Sequence, residues 1–229
     1  MTGSNFTTEH KSLAGFDPEI ISLLADGLTQ QSFAVSEANL EQLLTHLSLL
    51  EKWNRRLNLT AIVSPREMVI QHVLDSLSIA KLLGDERILD IGTGGGFPGV
   101  PLALMLPKAE VCLLDARGKR VEFLRYVIAA CGISNASVIH ARIEDYLPPQ
   151  KFDTLVTRAF SSLTDMLNWT APVHQTATRF LAMKGKRPDD EIDALPAMWQ
   201  DRVHIRRLQV PYLDAERHLV EINLKDLYP

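Results

Sequence analysis

Five of the twelve glycines in this chain fall within eight residues, in the run R-I-L-D-I-G-T-G-G-G-F-P-G-V-P that starts at Arg87. An apolar stretch that ends at Ile91 and breaks into Gly92, Gly94 and Gly96 reads as a buried strand turning into a helix. Glycine lets such a turn take positive φ and bring its backbone close to a ligand, while the helix start offers free N–H groups. A second strand ends at Asp115, 23 residues after Gly92. There a carboxylate can accept the two hydroxyls of a ribose. Strand, glycine turn, helix, strand and terminal acid together point to a ligand carrying adenosine.

The same periodicity extends along the chain. Short apolar runs at Arg87–Ile91, Glu110–Leu114, Ser137–His140, Phe152–Thr157, Arg179–Met183, Val203–Val210 and Glu216–Asn223 read as strands. Helical stretches are expected between the first five, which gives a doubly wound parallel sheet. The link between the last two is too short for a crossover helix, so they should pair antiparallel. The fold class is therefore α/β, with a mostly parallel seven-stranded sheet and an antiparallel edge. Residues 1–84 read differently, as an N-terminal helical extension packed on a core formed by 85–229. Asp17-Pro18 opens one helix and Gly27 closes it. Ser36 caps a second, with Leu40, Leu43, Leu44, Leu47 and Leu50 at helical spacing. Ser64-Pro65-Arg66-Glu67 has the form of a capping box. On the helix that follows, His72, Asp75 and Ser76 flank the apolar arc.

The remaining sequence limits the classes of function. The N-terminus has no basic region followed by an apolar run, so no signal peptide is expected. The most apolar stretch, Val100 to Leu106, is too short to span a membrane. Cys112 and Cys131 lie 19 apart with no metal-ligand spacing, which predicts two reduced, buried thiols, a cytoplasmic protein and no metal site. The formal charge is −4. That total speaks against a nucleic-acid partner, yet it averages over faces. Between Asp115 and Arg125 there are four basic and two acidic residues, and Lys184, Lys186 and Arg187 form a second basic cluster offset by Asp189-Asp190-Glu191.

Which adenosine ligand is bound depends on the register of the glycines. Gly94 to Gly99 matches the dinucleotide pattern G-x-G-x-x-G, but starts three residues beyond the strand. The register that starts at the strand end, Asp90-x-Gly92-x-Gly94-x-Gly96, resembles the motif of class I methyltransferases, which have a Rossmann-like fold and use S-adenosylmethionine (AdoMet). Further segments narrow the resemblance. L-D-I-G-T-G-G-G-F-P-G-V-P, L-L-D-A-R-G-K-R-V-E-F-L, A-R-I-E-D, V-T-R-A-F-S-S-L and A-M-K-G, with W-N-R-R-L-N-L-T-A-I and H-V-L-D-S-L upstream, are similar to the RsmG (GidB) family. They run in order from Trp53 to Lys184. The family methylates guanine N7 in 16S rRNA of the bacterial small ribosomal subunit.

The resemblance implies that Gly92, Gly94 and Phe97 belong to the AdoMet-binding turn, that Ile143 and Glu144 flank the adenine, and that Arg158 sits at the end of the fourth strand. Asp115 follows from the general class I pattern. Lys119, Arg142 and Lys184 occupy family positions at the pocket mouth and are candidates for holding or positioning the RNA. Guanine N7 already carries a free lone pair, so no catalytic base is expected, and neither the motif of exocyclic-amine methyltransferases nor a nucleophilic cysteine follows the fourth strand. Arg158→Ala is expected to weaken AdoMet binding with the fold intact. The expected partner is the 16S rRNA or small subunit, with no membrane and a monomeric enzyme. An NAD-dependent oxidoreductase and a non-catalytic RNA-binding assembly factor are the alternatives.

Overall fold

The structure is a computed structural model that describes residues 13–158 and 162–225. Its first helix, α1 (Pro18–Gln30), starts at Pro18 as the Asp-Pro pair predicts, but it runs past Gly27. At Gly27 a Cβ would meet Leu74 at 2.5 Å, so the glycine is a packing site rather than a stop. Helix α2 (Glu37–Leu57) is capped as expected, with Ser36 Oγ accepting from the Asn39 amide, and ends at Asn58 in the left-handed region. Helix α3 (Pro65–Met68) has Pro65 in its first turn, yet the Ser64 hydroxyl makes no capping bond, so the expected box does not form. A widened π-helical segment, Val69–Leu74, and the short α4 (Asp75–Leu77) carry the chain on. This π segment holds His72 and delivers Asp75 at its end. Such turns recur at functional sites.

All seven expected strands form, within two residues at each end. They are β1 (Arg87–Ile91), β2 (Glu110–Asp115), β3 (Ala136–His140), β4 (Thr154–Arg158), β5 (Arg179–Lys184), β6 (Val203–Leu208) and β7 (Arg217–Asn223). Their order is β3-β2-β1-β4-β5-β7-β6, with the first five parallel. The reversed strand is β7, wedged antiparallel between β5 and β6, so the outermost strand β6 again runs with β5. Helices α5 (Gly99–Met105), α6 (Gly118–Ala130) and α7 (Leu163–His174) link β1 to β2, β2 to β3 and β4 to β5. Between β3 and β4 the expected helix is absent. Only a 3₁₀ turn, Ile143–Asp145, forms before Pro148 and Pro149. Adjacent prolines cannot supply the amides a helix needs.

Alternation along β1 separates two apolar layers. Ile88 faces α5, α6 and the N-terminal helices, and Leu89 and Ile91 face α7 and the 3₁₀ turn. The layer containing Ile88 is continuous from Phe16 to Leu219. The N-terminal helices therefore share their core with the sheet. Leu43, Leu44, Leu47 and Leu50 of α2 are wholly buried there. Each such burial contributes roughly 1.5–3 kcal/mol before chain entropy is counted.

Candidate active site

The glycine turn is held by a carboxylate on either side. Gly92, Gly94 and Gly96 have φ of +69°, +58° and +91°, values that L side chains rarely adopt. The Gly92 and Thr93 amides donate to the Leu114 carbonyl at 2.9 and 3.2 Å. On the strand side, Asp90 Oδ2 accepts from the Thr93 hydroxyl and from the Gly99 amide (2.8 Å). Asp90 is fully buried and its Oδ1 has no partner. Burial pushes its carboxyl up to about 6, against the pull of those two hydrogen bonds.

On the far side, Asp115 ends β2 and ties down the turn. Its Oδ2 accepts from the Gly94 amide at 3.0 Å and faces Arg120 at 3.4 Å, while Oδ1 accepts from the Arg117 amide at 2.9 Å. A carboxylate offers about four acceptor sites, so roughly one remains for a ligand hydroxyl. A second ribose hydroxyl needs the long Arg120 contact to give way. With that shift, the residues fit an adenosine ligand: a glycine turn, a strand-end carboxylate with spare acceptor capacity, and a buried Asp90 oxygen lacking a donor.

Beyond β3, Ile143 is buried among Leu89, Ile91, Cys112 and Leu114. Glu144 is half-buried beside it, held by Arg142 at 3.1 Å and by its own amide, and both hold its carboxyl below the usual range. The Phe97 ring is buried beneath the turn rather than open to a ligand. It stacks between His46 of α2 at 4.7 Å and His72 of the π segment at 4.6 Å.

Arg158 at the end of β4 turns toward the N-terminal helices. It donates to the Gln71 carbonyl (2.7 Å), to Asp75 Oδ2 (3.3 Å) and to His72 Nδ1 (3.2 Å), with its guanidinium over Phe97. Asp75 Oδ1 accepts from Arg217 of β7 at 3.0 Å. Because arginine only donates, His72 Nδ1 must accept, and its Nε2 carries the hydrogen toward Thr60 Oγ1 at 2.9 Å. Burial, with Arg158 and His46 adding to it, pushes His72 down to about 3. The imidazole is neutral, and both nitrogens are committed.

These side chains wall a cavity of about 380 Å³ at the carboxyl ends of β4 and β5, completed by Ile62, Met183, Lys184 and Leu208. Of the three basic candidates, only Lys184 reaches it. Its side chain is 12% exposed and donates to both Glu191 oxygens at 3.1 and 2.8 Å. Lys119 lies exposed on the first turn of α6, and Arg142 is exposed and paired with Glu144. The basic candidates thus form no single stripe, and the acidic run that offset them in the charge total supplies the partner of Lys184. The residues following Arg158 in the T-R-A-F-S segment, Ala159, Phe160 and Ser161, lie outside the described residues. Sequence reasoning missed His46, Arg217 and Glu191. His46 had one signal, an imidazole inside the leucine arc of α2. Arg217 had none, its partner being 142 residues away, whereas Glu191 stood in the acidic run beside Lys184 and was read only as a charge offset. Among the described residues no group of His, Cys, Asp and Glu is arranged to hold a metal ion, and no helix is long and apolar enough to cross a membrane.

Comparison with known proteins agrees with this architecture. Among solved structures, a SAM-dependent methyltransferase from Aquifex aeolicus superposes with a TM-score of 0.51 at 18% identity, covering 69% of this chain and 93% of that one. TrmK of M. capricolum, solved with S-adenosyl-homocysteine, gives 0.52 at 15% identity, covering 66% and 67%. At such identities the likeness establishes the class I methyltransferase fold. In sequence, the ribosomal RNA small subunit methyltransferase G of Vibrio atlanticus is 45% identical over 196 residues, 85% of this chain and 92% of its own length. That of Marinobacter nauticus is 43% identical over 204 residues, 89% and 94%. The family model described as rRNA small subunit methyltransferase G (GidB) matches residues 39–220, from within α2 to within β7. A match over that span, reaching from the helices beneath the glycine turn to the strand that carries Arg217, makes this chain a member of the GidB family.

Proposed function

We propose that this chain is an AdoMet-dependent enzyme that methylates N7 of a guanine in the 16S rRNA of the small ribosomal subunit. The observation that carries the reading is the pairing of a glycine turn and strand-end carboxylate, over β1 and β2, with a neighbouring cavity whose described imidazole and carboxylate, His72 and Asp75, are already committed. His72 is the imidazole on that cavity, and neither of its nitrogens is free to take a proton. Guanine N7 has no proton to lose. When bound, AdoMet supplies an electrophilic methyl carbon on a sulfonium. The chain's task is then positioning and electrostatics, which can supply most of the acceleration of an in-line displacement.

In this reading Gly92 and Gly94 shape the turn over which the methionine end lies, and Asp115 takes the ribose. Ile143 and Glu144 border the adenine, Ile143 from the apolar floor. Phe97 contributes from below, as a support of the turn. The cavity beside Arg158 and Lys184 receives the guanine, splayed out of its RNA as base-modifying enzymes require. Its cations are largely balanced by Asp75 and Glu191. That balance suits a base that becomes cationic as the reaction proceeds. Lys119 and Arg142 are placed to meet phosphates outside it. Residues 1–84 act as an extension serving the 85–229 catalytic core.

We read the enzyme as a cytoplasmic monomer. Cys112 and Cys131 are free and buried, and burial raises both thiols, Cys131 to about 11, which fits a reducing compartment.

The test is transfer of labelled methyl from AdoMet to small subunits purified from cells lacking this activity. Label is expected in 16S rRNA, in N7-methylguanosine. AdoMet binding without label in that RNA would overturn the substrate. Thermal stabilisation by NAD and not by S-adenosylhomocysteine would overturn the cofactor.

A further inference from the structure

Helix α2 lies outside the strand–helix repeat that forms the cofactor cleft, yet it touches the glycine turn directly. His46 is wholly buried within the leucine arc, and its Nε2 donates to the Gly95 carbonyl at 2.8 Å. Its ring stacks on Phe97 with an interplanar angle of 26°. One turn later, Leu50 comes within 3.0 Å of where a Gly95 Cβ would stand, so the helix is the floor of the turn. Because the Gly95 carbonyl only accepts, Nε2 carries the hydrogen. Burial pushes the imidazole down to about 4, so it is uncharged at neutral pH.

Two details argue that the imidazole serves the turn and not merely the core. Its Nδ1 is buried without a partner, an unfavourable arrangement that a fifth wholly buried leucine would avoid. The peptide it grips is held at both ends, since the Gly96 amide donates to the Thr93 carbonyl at 2.9 Å. Among the amides from Gly92 to Phe97, that of Gly95 alone makes no hydrogen bond to the described residues. Three consecutive glycines have little intrinsic preference for one conformation. Something outside the turn must select it, and the clamp on the Gly95 carbonyl fixes the residue whose own N–H is left over.

We infer that His46 is a positioning residue for the cofactor: by donating to the Gly95 carbonyl of the buried turn peptide it presets the glycine turn, whose Gly92 and Gly94 are the more accessible residues, for the ligand. This rests on the AdoMet reading above and adds the element that presets its site. AdoMet touches the turn, and His46 acts through it.

Two variants separate the donor from the ring. His46→Phe keeps an aromatic ring against Phe97 and removes the N–H. His46→Gln places an amide N–H near the Nε2 position and removes the ring. S-adenosylhomocysteine binding by calorimetry, thermal midpoints without ligand, and steady-state kinetics on small subunits are measured for each. His46→Phe is expected to weaken S-adenosylhomocysteine about tenfold, in line with one hydrogen bond. It should raise KM for AdoMet with kcat at saturation nearly unchanged, although its midpoint stays close to that of the unsubstituted protein. His46→Gln is expected to keep affinity within about threefold, even with a lower midpoint, because the donor is restored. Unchanged affinity in His46→Phe, or affinity that follows the thermal midpoint across both variants, would show a purely structural histidine and overturn the inference. Failure of the unsubstituted protein to bind S-adenosylhomocysteine would overturn the cofactor reading itself, and this inference with it.

Discussion

Arg158 donates to Asp75 across 3.3 Å, joining the end of β4 to the N-terminal helices through a side-chain pair that is 18% and 5% exposed. The same guanidinium takes the Gln71 carbonyl and His72 Nδ1. Arg158 is thus a structural tie as well as a wall of the cavity. Its removal leaves a buried carboxylate with one arginine in place of two. Losing one partner of a buried pair typically costs 3–5 kcal/mol. Arg217 still satisfies Asp75 Oδ1, which lowers the expectation for Arg158→Ala to about 2–3 kcal/mol. Urea unfolding without ligand measures it. An unchanged urea midpoint would restore the simpler view of Arg158 as a ligand-facing residue alone.

Acidity is expected to loosen the site. His46, His72 and His174 are pushed down to about 4, 3 and 4, chiefly by burial, from an unfolded value near 6.5. Below pH 6.5 the unfolded chain takes up protons that the folded chain refuses, so stability falls as pH drops toward 4. Asp90 acts in the opposite sense. Its carboxyl is raised from 3.8 to about 6, so the folded state holds the extra proton in that window and gains as pH falls. Three histidines outweigh one aspartate, and the net change is destabilising. For His46 alone the shift corresponds to about 3 kcal/mol over the whole window. Urea midpoints between pH 7 and 4.5 are expected to decline less in His46→Phe than in the unsubstituted protein. Parallel declines would mean that His46 does not titrate with folding.

The sheet and the glycine turn between β1 and α5 were readable because their signals are local. Gly92 to Gly96 and Asp115 are short-range patterns set by backbone geometry, and they appear where the sequence places them. The second wall was not readable in the same way. Arg158 meets Asp75 across 83 residues, and Arg217 meets it across 142, so both pairs belong to tertiary packing, the second through the placement of β7 between β5 and β6. Helix ends failed for a related reason. Gly27 looks like a stop, but the contact with Leu74 decides its role, and that contact belongs to tertiary packing.

Asp115 and Arg120 make opposite predictions for the cofactor. In the proposed reading Asp115→Ala removes a ribose acceptor, together with the anchor of the Gly94 amide. Loss of two charge-assisted hydrogen bonds predicts roughly a hundredfold weaker S-adenosylhomocysteine. Arg120→Ala uncovers the Asp115 oxygen that a second ribose hydroxyl requires, so affinity is expected to stay level or tighten by about threefold. Titration calorimetry on both variants checks the pair. A loss of affinity in Arg120→Ala would place that guanidinium among the ligand's own contacts.

Lys184 is expected to separate RNA handling from cofactor binding. It lines the cavity at the end of β5, remote in the sheet from Asp115 at the end of β2, and Glu191 holds its ammonium. Lys184→Met preserves the packing of the stem and removes the charge. Glu191 keeps its bond from the Leu163 amide and is about one-third exposed, so the fold is expected to tolerate the change. The expected result is S-adenosylhomocysteine affinity unchanged and kcat/KM on small subunits reduced about tenfold, the worth of one hydrogen bond to a charged group. A matching loss in cofactor affinity would assign the lysine to the turn side of the site. Unchanged kinetics on subunits would remove it from the substrate cavity altogether and leave the Glu191 pair as a link between β5 and the segment that follows it.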